Sequence, residues 1–358
     1  MNFLKNSVLA NQIETSTNNF NLIRLVLALL VVYFHTYPSQ LGADPLTQIL
    51  SPAVNLGEFS VGLFFFLSGL FVTQSWLKNP HCFAFLIKRI ARMIPGLAVC
   101  VLITTITAVL FFSAQGYVGL GEKVTWTYIL NNIFIFFLQG SVFHSSLKIP
   151  GVFNYLPEST INGPLWTLFW EGRFYIALAI LGMSAITKSK YWFTIIGAII
   201  LIYIGLDTDT ILLKIKYSLW EYKLLALFVS GMIVCTIANF LTIQLATLAG
   251  VILYVFFNHE GSGAFGIYLL GCTFALWFGT WDVKLLSFFR SHDYSFSIYI
   301  YHFPIMQMLK KYELASQWTG SLFLFTILAL LPFCAFSWKY VEKPSIGFAK
   351  KLTQRSMK

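Results

Sequence analysis

Residues Asn21 to Pro38 read NLIRLVLALLVVYFHTYP. Apolar side chains fill almost every position between Arg24 and His35, and the run approaches the ~20 residues with which a helix crosses bilayer hydrocarbon. Arg24 and His35 stand eleven residues apart. At about 100° and about 1.5 Å per residue they share one helix face, roughly 16 Å apart along the axis. Two explanations fit the pair. Arg24 snorkels to the surface while His35 bonds to a neighbouring helix, or the two line a polar channel between those depths.

Similar apolar runs extend through the chain. Of 358 residues, 57% are hydrophobic and 11% charged, whereas soluble domains are about a quarter charged; the surplus apolar surface needs lipid to cover it. Runs of spanning length lie at about 21–38, 57–77, 93–113, 163–186, 191–206, 222–239, 241–257, 263–280, 294–309 and 319–341, on the criterion of ~20 apolar residues. The reading is an all-α polytopic integral membrane protein of about ten transmembrane helices. An eleventh stretch, YILNNIFIFFLQGSVF at 128–143, is short and carries Asn131, Asn132 and Gln139. It is read as re-entrant or interfacial, packed on protein.

The net charge of +10 does not point to nucleic acid, because the cations fall between apolar segments rather than in continuous runs. They report topology instead. With both termini cytoplasmic and 128–143 not crossing, most Lys and Arg residues, including Lys78, Lys88, Arg89, Arg92, Lys343, Lys350 and Lys351, fall inside. The five cysteines, Cys82, Cys100, Cys235, Cys272 and Cys334, are far apart without a CxxC pair, so neither a disulfide framework nor a metal site is expected. No cleavage pattern follows the first run, which is read as a retained helix. The expected organisation is an N-terminal tail over 1–20, one membrane domain over 21–346 and a basic C-terminal tail over 347–358.

Further polar groups punctuate the apolar runs. Ser68 and Gly69 in VGLFFFLSGLFVT permit close backbone approach, either by a second helix or by a thin ligand. The segment KRIARMIP places Lys88, Arg89 and Arg92 ahead of the third span on the cytoplasmic side. Arg89 and Arg92 are three apart and face the same way on a helix. They suit bidentate phosphate contact, while anionic-lipid contact or plain anchoring is the alternative. Glu171, about two turns into the fourth span, is expected at the depth of His35, where it would orient the imidazole or pair with a basic residue. His302 lies mid-span in SFSIYIYHFP beside Tyr299 and Tyr301.

The succession R-x10-H, FFFLSG, K-R-x-x-R-x-x-P, LWTL-x-x-E-x-x-FY, S-x-S-I-Y-I-x-H-x-P and VEKP resembles the membrane acyltransferase 3 family over about residues 20–346. The resemblance implies a bacterial cytoplasmic-membrane enzyme of about ten spans. Such an enzyme takes an acyl group, usually acetyl, from cytoplasmic acyl-CoA and delivers it to a hydroxyl of a surface or lipid-linked polysaccharide. Acyl-CoA is then a donor substrate, and no permanently bound cofactor is expected. By the same resemblance His35 is the catalytic residue. Glu171 and His302 share the catalytic site, Arg89 and Arg92 hold the CoA phosphates, and Glu342 is structural. Arg24, Lys88, Ser68 and Gly69 belong to the donor path. Three departures stand out: Lys88 where arginine is usual, Leu70 after Ser68-Gly69, and Phe296 where a tyrosine is usual. No esterase-like extracytoplasmic segment is recognisable, so the transfer is expected to finish within the membrane domain or with a separate partner.

Two other classes compete. In a proton-coupled transporter or flippase, Arg24, His35, Glu171 and His302 would form a proton relay, but no inverted repeat is visible. A polysaccharide polymerase or ligase would carry a larger outside loop than about 114–162.

Overall fold

The computed structural model describes residues 8–15, 17–37, 44–50, 54–135, 148–156, 159–184, 189–206, 219–259, 263–282, 292–311 and 319–355. In chain order the helices are α1 (Leu9–Glu14), α2 (Phe20–Thr36), α3 (Pro45–Leu50), α4 (Leu56–Lys78), α5 (Cys82–Phe112), α6 (Lys123–Ile133) and α7 (Trp166–Met183). There follow α8 (Tyr191–Leu206), α9 (Leu219–Ile237), α10 (Ile243–His259), α11 (Gly263–Thr280), α12 (Ser295–Leu309), α13 (Thr319–Phe336) and α14 (Lys343–Arg355). Among the described residues there is no strand, only two isolated bridges, Ser113 with Val152 and Lys148 with Thr160.

The chain is an all-α membrane protein. Four helical stretches, Leu56–Lys78, Cys82–Phe112, Glu221–Phe240 and Gly320–Gln354, are long and apolar enough to cross a bilayer, and α2, Tyr191–Ile204, Ile243–Val255 and Gly266–Thr280 are shorter apolar helices. Each run expected from the sequence falls on a helix, with two differences. The helix expected near residue 93 already begins at Cys82, so Lys88, Arg89 and Arg92 lie on α5 itself rather than in a loop before it. Lys and Arg are good helix formers, and their long stems let the charge reach the surface from a helical position. The last run continues through a π-helical turn, Ser337–Glu342, into α14, so the region expected as a tail is helical up to Arg355. Of the stretch 128–143, α6 covers the part up to Ile133; its eleven residues rise only about 16 Å, half a hydrocarbon core. Residues 136–143 lie outside the described residues, as do Lys5, Lys188, Lys284, Arg290 and Lys358 among the cations that bear on topology.

The described residues group into two compact units. The first draws on Met1–Val31, Ala43–Cys82 and Ala177–Asp293. Its α4 starts at Asn55, whose side chain accepts the Glu58 amide at 2.7 Å, satisfying one of the unpaired N–H groups of a helix start. It ends before Asn79-Pro80, where the helical conformation is disfavoured. α4 and α9 meet backbone to backbone. A Cβ on Gly69 would stand 1.9 Å from Phe228 O, and one on Gly231 would stand 2.0 Å from Phe66 O. The two glycines face the opposite helix reciprocally, the small-residue contact that substitutes for hydrophobic driving force inside lipid. Gly69→Ala should therefore force the helices apart and destabilise the unit by about 1–3 kcal/mol, read as a lower midpoint of thermal unfolding in detergent. Gly347→Ala, where nothing lies within 4 Å, should leave the midpoint in place; equal midpoints for both variants would refute the contact.

The second unit draws on Val32–Gly42, Phe83–Ile176 and Tyr294–Lys358. Its centre is α12, which carries Pro304 in its interior. Proline has no N–H to offer the carbonyl four residues back, so Ile300 O is left without its helical donor. Asn162 Nδ2 at 2.8 Å and Cys100 Sγ at 3.2 Å supply it. The segment that contains Asn162 is tied to α12 elsewhere too. Tyr299 donates its hydroxyl to Pro164 O at 3.0 Å and pairs with Thr167 Oγ1 at 2.6 Å. Gln307 Nε2 donates to Thr160 O, and Tyr155 donates to Gln307 O, both at 3.0 Å. These bonds hold α12, and with it His302, in a fixed register.

Candidate active site

His35 lies in the last turn of α2 and His302 in the middle of α12. The two rings meet, His302 Nε2 standing 3.2 Å from His35 Nδ1. His302 is fully buried, whereas His35 keeps part of its surface exposed. Phe34 and Phe303 set their edges against the His35 ring at centroid distances of 5.2 and 5.3 Å.

The hydrogen bonds assign the tautomers. His302 Nδ1 faces two backbone carbonyls, Tyr299 O at 2.8 Å and Ile298 O at 3.2 Å. A carbonyl only accepts, so Nδ1 carries the proton, and the neutral ring presents its lone pair at Nε2. His35 Nδ1 must then be the donor of the contact between the two rings. Its neutral form keeps the remaining lone pair on Nε2. The arrangement has the logic of a base oriented by a buried partner, with an imidazole in the place often taken by a carboxylate.

The sequence reading gave that orienting role to Glu171. In the structure the bond at His35 Nδ1 belongs to His302, and Glu171 Oε1 accepts the hydroxyl of Tyr175. The two residues are four apart on α7, the spacing that brings side chains together on a helix. Tyr175 also meets the basic motif. The Arg89 guanidinium lies 5.8 Å from the Tyr175 ring and 5.6 Å from the Phe85 ring, within cation–π range. Arg92 Nη1 stands 3.3 Å from Glu342 Oε2. Lys88 is one residue from Arg89 on α5, about 100° round the helix.

Arg24, Ser68 and Gly69 belong to the first unit. Arg24 Nη1 is 3.9 Å from Asp293 Oδ2, and its guanidinium lies 4.9 Å from the Phe71 ring. Ser68 is buried, and the room at Gly69 is taken by α9, so of the two explanations for that glycine the structure holds helix packing. Sequence reasoning gave no role to Tyr175, Ser297 or Asn162. Tyr175 had a visible signal in its i, i+4 spacing from Glu171; the other two act across the fold and had none.

An all-α membrane protein in which buried His302 meets a partly exposed His35, with a basic motif on α5, is what this fold and site define. The chain belongs to the acyltransferase 3 family, whose model, described as an acyltransferase domain, matches residues 17–339. Among curated proteins it is similar to the O-acetyl transferase of Shigella phage Sf6, 24% identical over 336 residues that cover 91% of this chain and 95% of that one. It is also similar to Nodulation protein 10 of Rhizobium leguminosarum bv. viciae, 23% identical over 382 residues that cover 95% and 96% of the two chains. No solved structure matches. The protein is a membrane acyltransferase.

Proposed function

We propose that the protein is an O-acetyltransferase of the bacterial cytoplasmic membrane that moves an acetyl group from cytoplasmic acetyl-CoA to a hydroxyl of a surface or lipid-linked glycan. The observation that carries this reading is the histidine pair, in which buried His302 leaves the basic nitrogen of His35 at Nε2. The name O-acetyl transferase borne by the phage relative supports it. In the reaction the glycan oxygen attacks the thioester carbonyl while His35 Nε2 takes the hydroxyl proton. The C–O bond forms, the C–S bond breaks, and the imidazolium returns its proton to the leaving thiolate as CoA departs. If the acetyl group instead rests on Nε2 before reaching the sugar, the same atoms serve as nucleophile.

With both termini cytoplasmic, Arg89 and Arg92 on α5 receive the CoA phosphates, with Lys88 adding charge. Arg24, on the helix that carries His35, is given its part in the donor path by the family resemblance alone. Glu171, through Tyr175, links the arginine side of the site to α7. Arg89→Ala should raise the KM for acetyl-CoA about tenfold with kcat within about twofold, the signature of lost ground-state binding; an unchanged KM would remove Arg89 from the donor site. The function as a whole is tested by comparing NMR O-acetyl signals of surface glycans from cells with and without the gene. Loss of a defined O-acetyl resonance is expected, and identical spectra would refute the reading.

A further inference from the structure

Glu342 has no exposed surface, yet three groups from separate parts of the second unit converge on its carboxylate. Arg92 Nη1, from α5, meets Oε2 at 3.3 Å. Ser337 Oγ donates to Oε1 at 2.9 Å, and Ser297 Oγ, from α12, donates to the same oxygen. The π-helical turn makes this possible. Ser337 and Glu342 are five residues apart, which α-helical geometry would set about 140° apart round the axis, whereas the i to i+5 register of a π turn brings them together. Gly96, one turn beyond Arg92, leaves the room required: a Cβ there would stand 3.2 Å from both Glu342 Cγ and the Phe296 ring.

Arg92 itself is held on several sides. The Phe296 and Trp338 rings lie 5.7 and 6.0 Å from its guanidinium, and a quarter of its side-chain surface, 24%, remains exposed. A guanidinium carries five N–H donors in a fixed fork, so fixing one edge on a buried carboxylate fixes the direction of the rest. Burying that carboxylate would be costly without its cation, so pair and pose are maintained together.

We propose that Glu342 is a positioning residue for the donor's phosphates. Its carboxylate, locked by the π turn and by Ser297, holds Arg92 in a single pose three residues from Arg89 on α5, ready to meet phosphate oxygens. This rests on the reading of the basic pair as the acyl-CoA grip. It departs from a purely structural part for the terminal VEKP motif, because it predicts an effect on ligand affinity and not only on folding.

The test is calorimetric titration of CoA into the purified full-length protein in detergent, with thermal unfolding recorded on the same samples. Glu342→Gln should weaken CoA binding about tenfold, as Arg92→Ala does, and the double variant should bind no more weakly than Arg92→Ala alone. Wild-type CoA affinity in folded Glu342→Gln, with Arg92→Ala weakened, would overturn the proposal while leaving the donor reading intact. Unchanged affinity in both Arg89→Ala and Arg92→Ala would overturn the donor reading and this proposal with it. If Glu342→Gln does not fold, Ser297→Ala takes its place, with an expected loss of about threefold; wild-type affinity there overturns the proposal.

Discussion

Cells that carry His35→Asn in place of the wild-type enzyme are expected to make surface glycans without the O-acetyl resonance, at equal levels of folded protein. An asparagine amide can still donate a hydrogen bond toward His302 Nε2 from near the position of the imidazole Nδ1, so the packing of α2 on α12 is kept. What disappears is Nε2, the atom to which the tautomer chain assigns the lone pair. Base catalysis by a positioned side chain contributes about 10²–10⁴-fold. A relay would lose more, so turnover should fall at least about a hundredfold. Rates within tenfold of wild type would place the reactive group elsewhere.

The second large effect is expected at His302. Replacing it with phenylalanine fills the buried space but removes the acceptor for His35 Nδ1–H, freeing that ring to turn or to adopt the other tautomer. Loss of a tautomer-fixing partner should lower kcat by about 10²–10³-fold while the KM for acetyl-CoA stays within about twofold. Glutamine is the informative companion, because its amide oxygen can take the place of Nε2 as acceptor. His302→Gln should recover a substantial part of the rate lost in His302→Phe. A residue that served packing alone would show no such recovery, since the phenylalanine fills the space better than the amide.

These two experiments bear on residues whose presence was legible in the sequence and whose partnership was not. His35 and His302 each stood out as ionisable groups inside apolar runs, a costly placement whatever the fold. That they touch depends on packing between helices 267 residues apart in the chain, and one sequence carries no distance information at that range. The link from Glu171 to His35 rests in the sequence on matched depth, and depth alone does not say which face a side chain takes; what the sequence reading does not name is Tyr175, one helical turn along, which donates its hydroxyl to the Glu171 carboxylate. Glu342 was legible only as part of a terminal motif. Its junction with Arg92, 250 residues away, depends on a π turn that no propensity signals. The helices themselves were read more securely, since spans of apolar residues have one physical explanation. Even so, the start of α5 was placed too late, because charged residues were taken to end a helix whose backbone they support.

On the proposed function, His35 carries acetyl transfer from acetyl-CoA to a glycan hydroxyl. Inside-out membrane vesicles supplied with acetyl-CoA labelled in the acetyl group test it most directly. With the wild-type enzyme, label is expected in the glycan fraction as an ester released by mild alkali, and with His35→Asn at equal protein level that label should be absent. Equal labelling by the two, or no labelled ester with the wild type in vesicles containing its glycan, would contradict the account.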